Sequence, residues 1–172
     1  MTLYTPIPQQ RFVADIHILA ARLGEDAAWA PTFLIGIGRG GLVPAVFLSH
    51  ASGLPMLSVD FSAQVEDFAL DPIARLAART RGGERFLFLD DINDTGRTIA
   101  RLRAMLAAAG AVPGSVRFAT LLDNIRSGER VDYHAREIDR AVTKDWFIFP
   151  WEAVAPDLAI QADAAAVPER TA

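Results

Sequence analysis

Runs such as Phe33-Leu34-Ile35-Gly36-Ile37 and Phe86-Leu87-Phe88-Leu89 contain no polar position. A strand of that pattern is buried on both faces, as in a parallel sheet covered by helices. Leu54 to Val59 and Ser115 to Leu122 are read as further strands, and Val131 to Glu137 alternates as an outer one. Between them the apolar positions fall at helical spacing. Phe12, Val13, Ile16, Leu19, Ala20 and Leu23 predict a helix over Gln9 to Leu23, with Gly24 as its stop. A second helix is expected from about Leu42 to Ala51, and a third follows Thr95 and runs to Ala109, ended by Gly110. Alternating strands and helices predict an α/β fold with a mostly parallel central sheet.

The segment from Asp60 to Gly83 is read as a long connection with helical turns only around Ile73 to Ala78. Connections of that length are uncommon unless functional. Arg79, Arg81 and Gly82-Gly83 would suit a lid closing on an anion, and a plain surface excursion is an equal alternative. Beyond Pro156, Ala and Pro dominate, so residues 157–172 are expected to be frayed or disordered.

Length and charge narrow the function. A chain of 172 residues with 51% hydrophobic and 22% charged residues fits one globular domain with a substantial core. A net charge of −4 argues against a nucleic-acid surface and against anionic membranes. With no cysteine, disulfides and thiolate zinc sites are excluded. No stretch reads as a signal peptide or a bilayer span, so the expected compartment is cytoplasmic.

The chemistry concentrates where the Phe86 run ends: Asp90-Asp91-Ile92-Asn93-Asp94-Thr95-Gly96-Arg97-Thr98. Ligands of parallel α/β sheets collect where strands end and helices begin. Acids there suit a metal or a cationic transition state, and a helix N-terminus with Gly and Thr suits a phosphate. A calcium loop is excluded because the positions five and twelve from Asp91 are Thr95 and Leu102. A Walker loop is excluded because Lys144 is the only lysine. A capped acidic turn remains the plain alternative. Gly36-Ile37-Gly38-Arg39-Gly40-Gly41 also spells Gly-x-Gly-x-x-Gly after a strand, with Asp60 at the end of the next. A dinucleotide-binding oxidoreductase domain is therefore a competitor, but it assigns no task to Asp90 through Thr98.

The stretch from Asp90 to Thr98 resembles the signature of the type I phosphoribosyltransferases, Asp-Asp-x-x-Asp-Thr-Gly-x-Thr, at every specified position. The Arg39 segment resembles that family's diphosphate loop. Trp146-Phe147-Ile148-Phe149-Pro150-Trp151-Glu152 is similar to a segment of its purine branch, which acts on hypoxanthine, guanine or xanthine. The resemblance implies a three-layer core over residues 1–156, with a small hood from the N-terminal segment and about 124–156. It also implies transfer of ribose 5-phosphate from phosphoribosyl diphosphate (PRPP) to a purine base, with Mg2+ as cofactor, in purine salvage. Arg39 and Gly40 would take the diphosphate. Asp90 and Asp91 would take the ribose hydroxyls, Asp91 also the metal. Asp94, Thr95, Gly96, Arg97 and Thr98 would take the 5-phosphate, and Asp94 would also accept the proton of the base. Trp146 and Phe147 would form the base pocket. Where the 6-oxopurine enzymes carry an oxygen-binding lysine this chain has Asn124, which can donate or accept. A homo-oligomer, dimer or tetramer, goes with the resemblance. A PRPP- or nucleotide-sensing regulator on the same fold is the alternative function.

Overall fold

Alternate residues of the apolar runs lie on opposite faces of one sheet, and each face has its own helices. The computed structural model describes residues 2–61 and 70–166. The chain runs through β1 (Tyr4–Pro6), α1 (Gln9–Glu25), β2 (Phe33–Ile37), α2 (Gly38–Ser52), β3 (Met56–Val59) and α3 (Leu70–Thr80). It continues through β4 (Phe86–Asn93), α4 (Arg97–Ala108), β5 (Val116–Asn124), β6 (Tyr133–Ile138) and β7 (Trp146–Ile148). A 3-10 turn (Pro150–Glu152) and α5 (Asp157–Ala166) follow. Five strands form the expected parallel sheet in the order β3-β2-β4-β5-β6. Strands β1 and β7 pair apart from it, also parallel, with Tyr4 opposite Trp146.

On one face Leu34, Leu87, Leu89 and Leu121 meet Phe12, Ile16 and Leu19 of α1 and Leu48 of α2. On the other, Ile35, Phe86, Phe88 and Phe118 meet Ile73 and Leu76 of α3 and Ile99 and Leu102 of α4. Burial on both sides is why β2 and the Phe86–Leu89 run of β4 carry no polar residue.

Several element boundaries differ from the sequence reading. Helix α1 passes through Gly24 and ends at Glu25, followed by Asp26, whose carboxylate accepts the N–H groups of Ala28 and Trp29, both at 3.1 Å. Helix α2 begins at Gly38, directly after β2, so the glycine segment is its first turn rather than a preceding loop. Gly41 allows this: a Cβ there would stand 1.9 Å from the Leu89 carbonyl oxygen. Strand β4 does not stop at the acids but continues to Asn93, because β5 runs on beside it, Asp90 opposite Thr120 and Asn93 opposite Asp123.

The connection read as either a lid or a surface excursion is largely helix α3, which buries Ile73, Leu76, Ala77 and Thr80. The two arginines singled out for it, Arg79 and Arg81, are already engaged. Arg79 pairs with Glu84 at 2.6 Å and lies 4.6 Å over the Phe33 ring. Arg81 donates to the carbonyls of Ala109 and Gly110 at the C-terminal end of α4, at 3.4 and 3.0 Å, where a cation suits the helix dipole. The part of that expectation falling on residues 62–69 lies outside the described residues. Fraying from Asp157 is not observed over residues 157–166, which form α5 and bury Ala164.

Candidate active site

The first turn of α2 lies against the end of β4 so closely that only glycine fits. A Cβ on Gly40 would meet Asp91 Oδ2 at 2.6 Å and Asp90 Oδ1 at 2.9 Å. Both carboxylates therefore face the backbone of the Gly38–Gly41 turn, with Arg39 exposed beside them. Magnesium commonly takes one or two protein carboxylates and completes its shell with water and substrate phosphates. Asp90 and Asp91 fit that donor set. Among the described residues no group of three or more acids or histidines forms a full protein cage.

Asp94 to Thr98 carry the chain from β4 into α4. Gly96 caps the helix with φ +85°, and its missing Cβ leaves room for the Glu129 N–H, which would otherwise be 2.7 Å away. Thr95 Oγ1 accepts from the backbone N–H and the Nε of Arg97, at 3.4 and 3.3 Å. The loop is stapled from behind by buried Asn93. Its amide donates to Asp123 Oδ1 at 2.7 Å and to the Glu129 carbonyl at 2.8 Å, and its oxygen accepts from Ser127 at 2.9 Å. The first-turn N–H groups of α4 have no partner within the helix, which makes this end receptive to an anion.

The third wall comes from the end of the chain. A cleft beside Asp91 and Asp94 is lined by Trp146, Phe147, Phe149 and Glu152, and by Arg140. Arg140 grips Asp94 with a two-point fork, Nε to Oδ1 at 2.9 Å and Nη2 to Oδ2 at 2.8 Å. Both side chains are buried, 9% and 2% exposed. The Arg140 Nη1 donates to the carbonyls of Asp145 and Thr143, at 2.7 and 3.2 Å, and Cζ lies 5.3 Å from the Phe147 ring centroid. Strand β7 is held by β1: Trp146 N–H bonds the Leu3 carbonyl at 2.7 Å, and Ile7 N–H bonds that of Ile148 at 2.8 Å. In a parallel ladder alternate residues bond to one neighbour, so the N–H and C=O of Phe147 turn away from β1. Burial pushes the Glu152 carboxyl above its usual range; the Phe149 N–H at 2.8 Å opposes this, nearby Asp163 adds to it, and Arg39 opposes it.

The phosphoribosyl transferase domain family matches residues 7–156. The chain belongs to this family. Among solved structures, a purine phosphoribosyltransferase from Pyrococcus horikoshii is similar at 25% identity, over 89% of this chain and 97% of that one, with a TM-score of 0.62. A xanthine-guanine-hypoxanthine phosphoribosyltransferase from Helicobacter pylori aligns at 16% identity, over 93% and 99%, with a TM-score of 0.61. A hypothetical protein from Neisseria gonorrhoeae with bound ppGpp aligns at 21% identity, over 96% and 98%, with a TM-score of 0.68. The latter two establish likeness of fold.

In this phosphoribosyltransferase the structure gathers most of the residues singled out from sequence. Asp90 and Asp91 meet Gly40 at the α2 turn, which also carries Arg39, Thr95 to Thr98 lead into α4, and Asp94, Trp146 and Phe147 share the cleft. Asn124 is buried and does not line the cleft. Its Nδ2 donates to the Asp94 carbonyl at 2.8 Å, and its Oδ1 accepts the N–H groups of Arg126 and Arg140, each at 3.2 Å. The second tryptophan, Trp151, belongs to the core, stacked 4.8 Å from Phe149 and edge-on to Phe12 at 5.3 Å. Arg140 and Glu152 are the residues that sequence reasoning missed. Glu152 was within reach as the acid closing the tryptophan segment, whereas Arg140 lies in an aperiodic loop with no signal of its own.

Proposed function

We propose that the protein transfers ribose 5-phosphate from PRPP to a 6-oxopurine, releasing diphosphate. The observation that carries this reading is the cleft in which Asp94, just ahead of α4, stands beside Trp146 and Phe147. A ring nitrogen of the base attacks the anomeric carbon, and the bond from that carbon to the diphosphate oxygen breaks with its electron pair leaving on diphosphate. The proton of the attacking heterocycle passes to Asp94. The sugar becomes cationic in the transition state, and carboxylates held nearby stabilise it.

Each group has a part in that scheme. Arg39 and the backbone of Gly40 receive the diphosphate, since a guanidinium matches phosphate oxygens and glycine lets the main chain approach. Asp90 and Asp91 bind the ribose hydroxyls and would hold Mg2+, which neutralises charge on the leaving diphosphate. Thr95, Gly96, Arg97 and Thr98 hold the 5-phosphate at the α4 N-terminus. Trp146 offers an aromatic face for the flat base, and the outward N–H and C=O of Phe147 can bond its edge.

A nucleotide-sensing regulator is the second reading, favoured by the fold likeness to a protein with bound ppGpp. One assay decides between them. Protein, PRPP and Mg2+ are mixed with hypoxanthine, guanine, xanthine or adenine, and diphosphate is measured. Release with an oxopurine supports the transferase. Nucleotide binding by calorimetry without release from any base overturns it in favour of the regulator.

A further inference from the structure

Arg140 is a buried cation in the wall of a ligand cleft, and packing alone gives little reason for it. A buried ion pair loses most of its attraction to desolvation, and apolar residues of similar volume often serve stability as well. A guanidinium has five N–H donors and no acceptor. Among the described residues four of those donors are engaged: Nε and one Nη2 hydrogen on Asp94, and both Nη1 hydrogens on the Thr143 and Asp145 carbonyls. One Nη2 N–H is left over, on a group whose plane is fixed by the fork and by Phe147. The residue expected to read the base, Asn124, cannot also do so in this arrangement. Turning its amide would break the bonds to the Asp94 carbonyl and to the Arg126 and Arg140 N–H groups.

We propose that Arg140 is the specificity-determining donor for the base, its remaining Nη2 N–H meeting an exocyclic oxygen of the heterocycle stacked on Trp146, with Asn124 positioning Asp94 and Arg140 from behind. This rests on the transferase reading of the cleft and names the residue that selects within it. Asp94 and Arg140 stand side by side, an acceptor next to a donor, complementary to a base edge that carries an N–H beside a carbonyl. An amino group in place of that carbonyl sets two donors against each other and leaves the buried one unmatched. The fork also restrains Asp94, because accepting a proton there means giving up a bond to Arg140. The base oxygen offers the guanidinium a replacement acceptor at that moment.

The test compares wild type with Arg140→Gln, whose amide can present either a donor or an acceptor. The readouts are kcat/KM for hypoxanthine against adenine, and calorimetric binding of IMP against AMP. PRPP binding with Mg2+ is the control. Wild type should prefer the oxo ligand by about ten- to a hundredfold, and Arg140→Gln should collapse that ratio while PRPP binding stays within twofold. A merely structural role would weaken both ligands alike and leave the ratio unchanged, which would overturn the proposal. Should Arg140→Gln fail to fold, wild type labelled with 15N-arginine decides. The Arg140 side-chain resonance should shift with IMP and not with AMP, and equal shifts would overturn the assignment. Diphosphate release with an unchanged ratio in Arg140→Gln would leave the transferase standing without this donor. Selective IMP binding through Arg140 without turnover would do the reverse.

Discussion

Asp26 accepts the Tyr133 hydroxyl at 2.7 Å and Arg117 Nη1 at 2.5 Å, with the Arg117 guanidinium 4.6 Å from the Trp29 ring centroid. The Tyr133 hydrogen bond first, and Arg117 next, hold its carboxyl down to about 2, against 3.8 for an ordinary aspartate. A carboxyl depressed in the folded state contributes stability that is whole above the unfolded value and fades as pH falls toward the folded one. Wild type should therefore exceed Asp26→Asn in urea midpoint at pH 6, and the advantage should vanish between about pH 4 and 2. A constant gap across that range would remove the linkage. Asp94 makes a second residue-scale prediction. Asp94→Asn should keep PRPP binding and lose about a hundredfold or more in turnover. Its melting temperature should also fall, since leaving Arg140 without its countercharge costs about 3–5 kcal/mol. An unchanged kcat would take Asp94 out of the mechanism.

At the scale of elements, two neighbouring glycines in α2 separate binding from folding. A methyl on Gly40 presses on the tips of the Asp90 and Asp91 side chains, which can turn aside, whereas one on Gly41 meets the Leu89 main chain. Gly40→Ala should weaken PRPP binding with a melting temperature near wild type. Gly41→Ala should lower stability by about 1–3 kcal/mol or more, as overpacking does. Equal melting temperatures would contradict the contact geometry. Elements like these were legible because buried parallel strands announce themselves, as Phe33–Ile37 and Phe86–Leu89 do. Their ends were not, because ends depend on neighbours. Only the extent of β5 tells β4 to continue through two acids, and only α4 tells Arg81 to cap a helix rather than wait for an anion.

At the scale of the molecule the site has two differently built halves. The half proposed for PRPP lies at the C-terminal end of the central strand β4, where the signature residues are contiguous and therefore readable. The half proposed for the base depends on β1 holding β7, and on a loop that returns Arg140 to Asp94, a long-range contact no local pattern encodes. Thr5 donates to Asp145 Oδ2 at 2.6 Å, tying the first strand to the turn that carries Arg140. Removing residues 1–5 should thus raise KM for the base and leave the Kd for PRPP unaltered. A parallel loss of both would mean that the clamp supports the whole fold rather than one pocket.

The β1–β7 pairing also governs timing. The Thr5–Asp145 contact beside this pairing spans 140 residues, so β1 leaves the ribosome with nothing to pair with until the five-stranded sheet between them has been made. Closing a contact across so much chain forfeits more entropy than any step inside the five-stranded sheet. The nascent protein is accordingly expected to build its sheet core and the β4–α4 turn before the clamp closes. A clamp that closes late is also expected to open early, so the Ile7 and Trp146 amides should exchange faster than those at the centre of the five-stranded sheet.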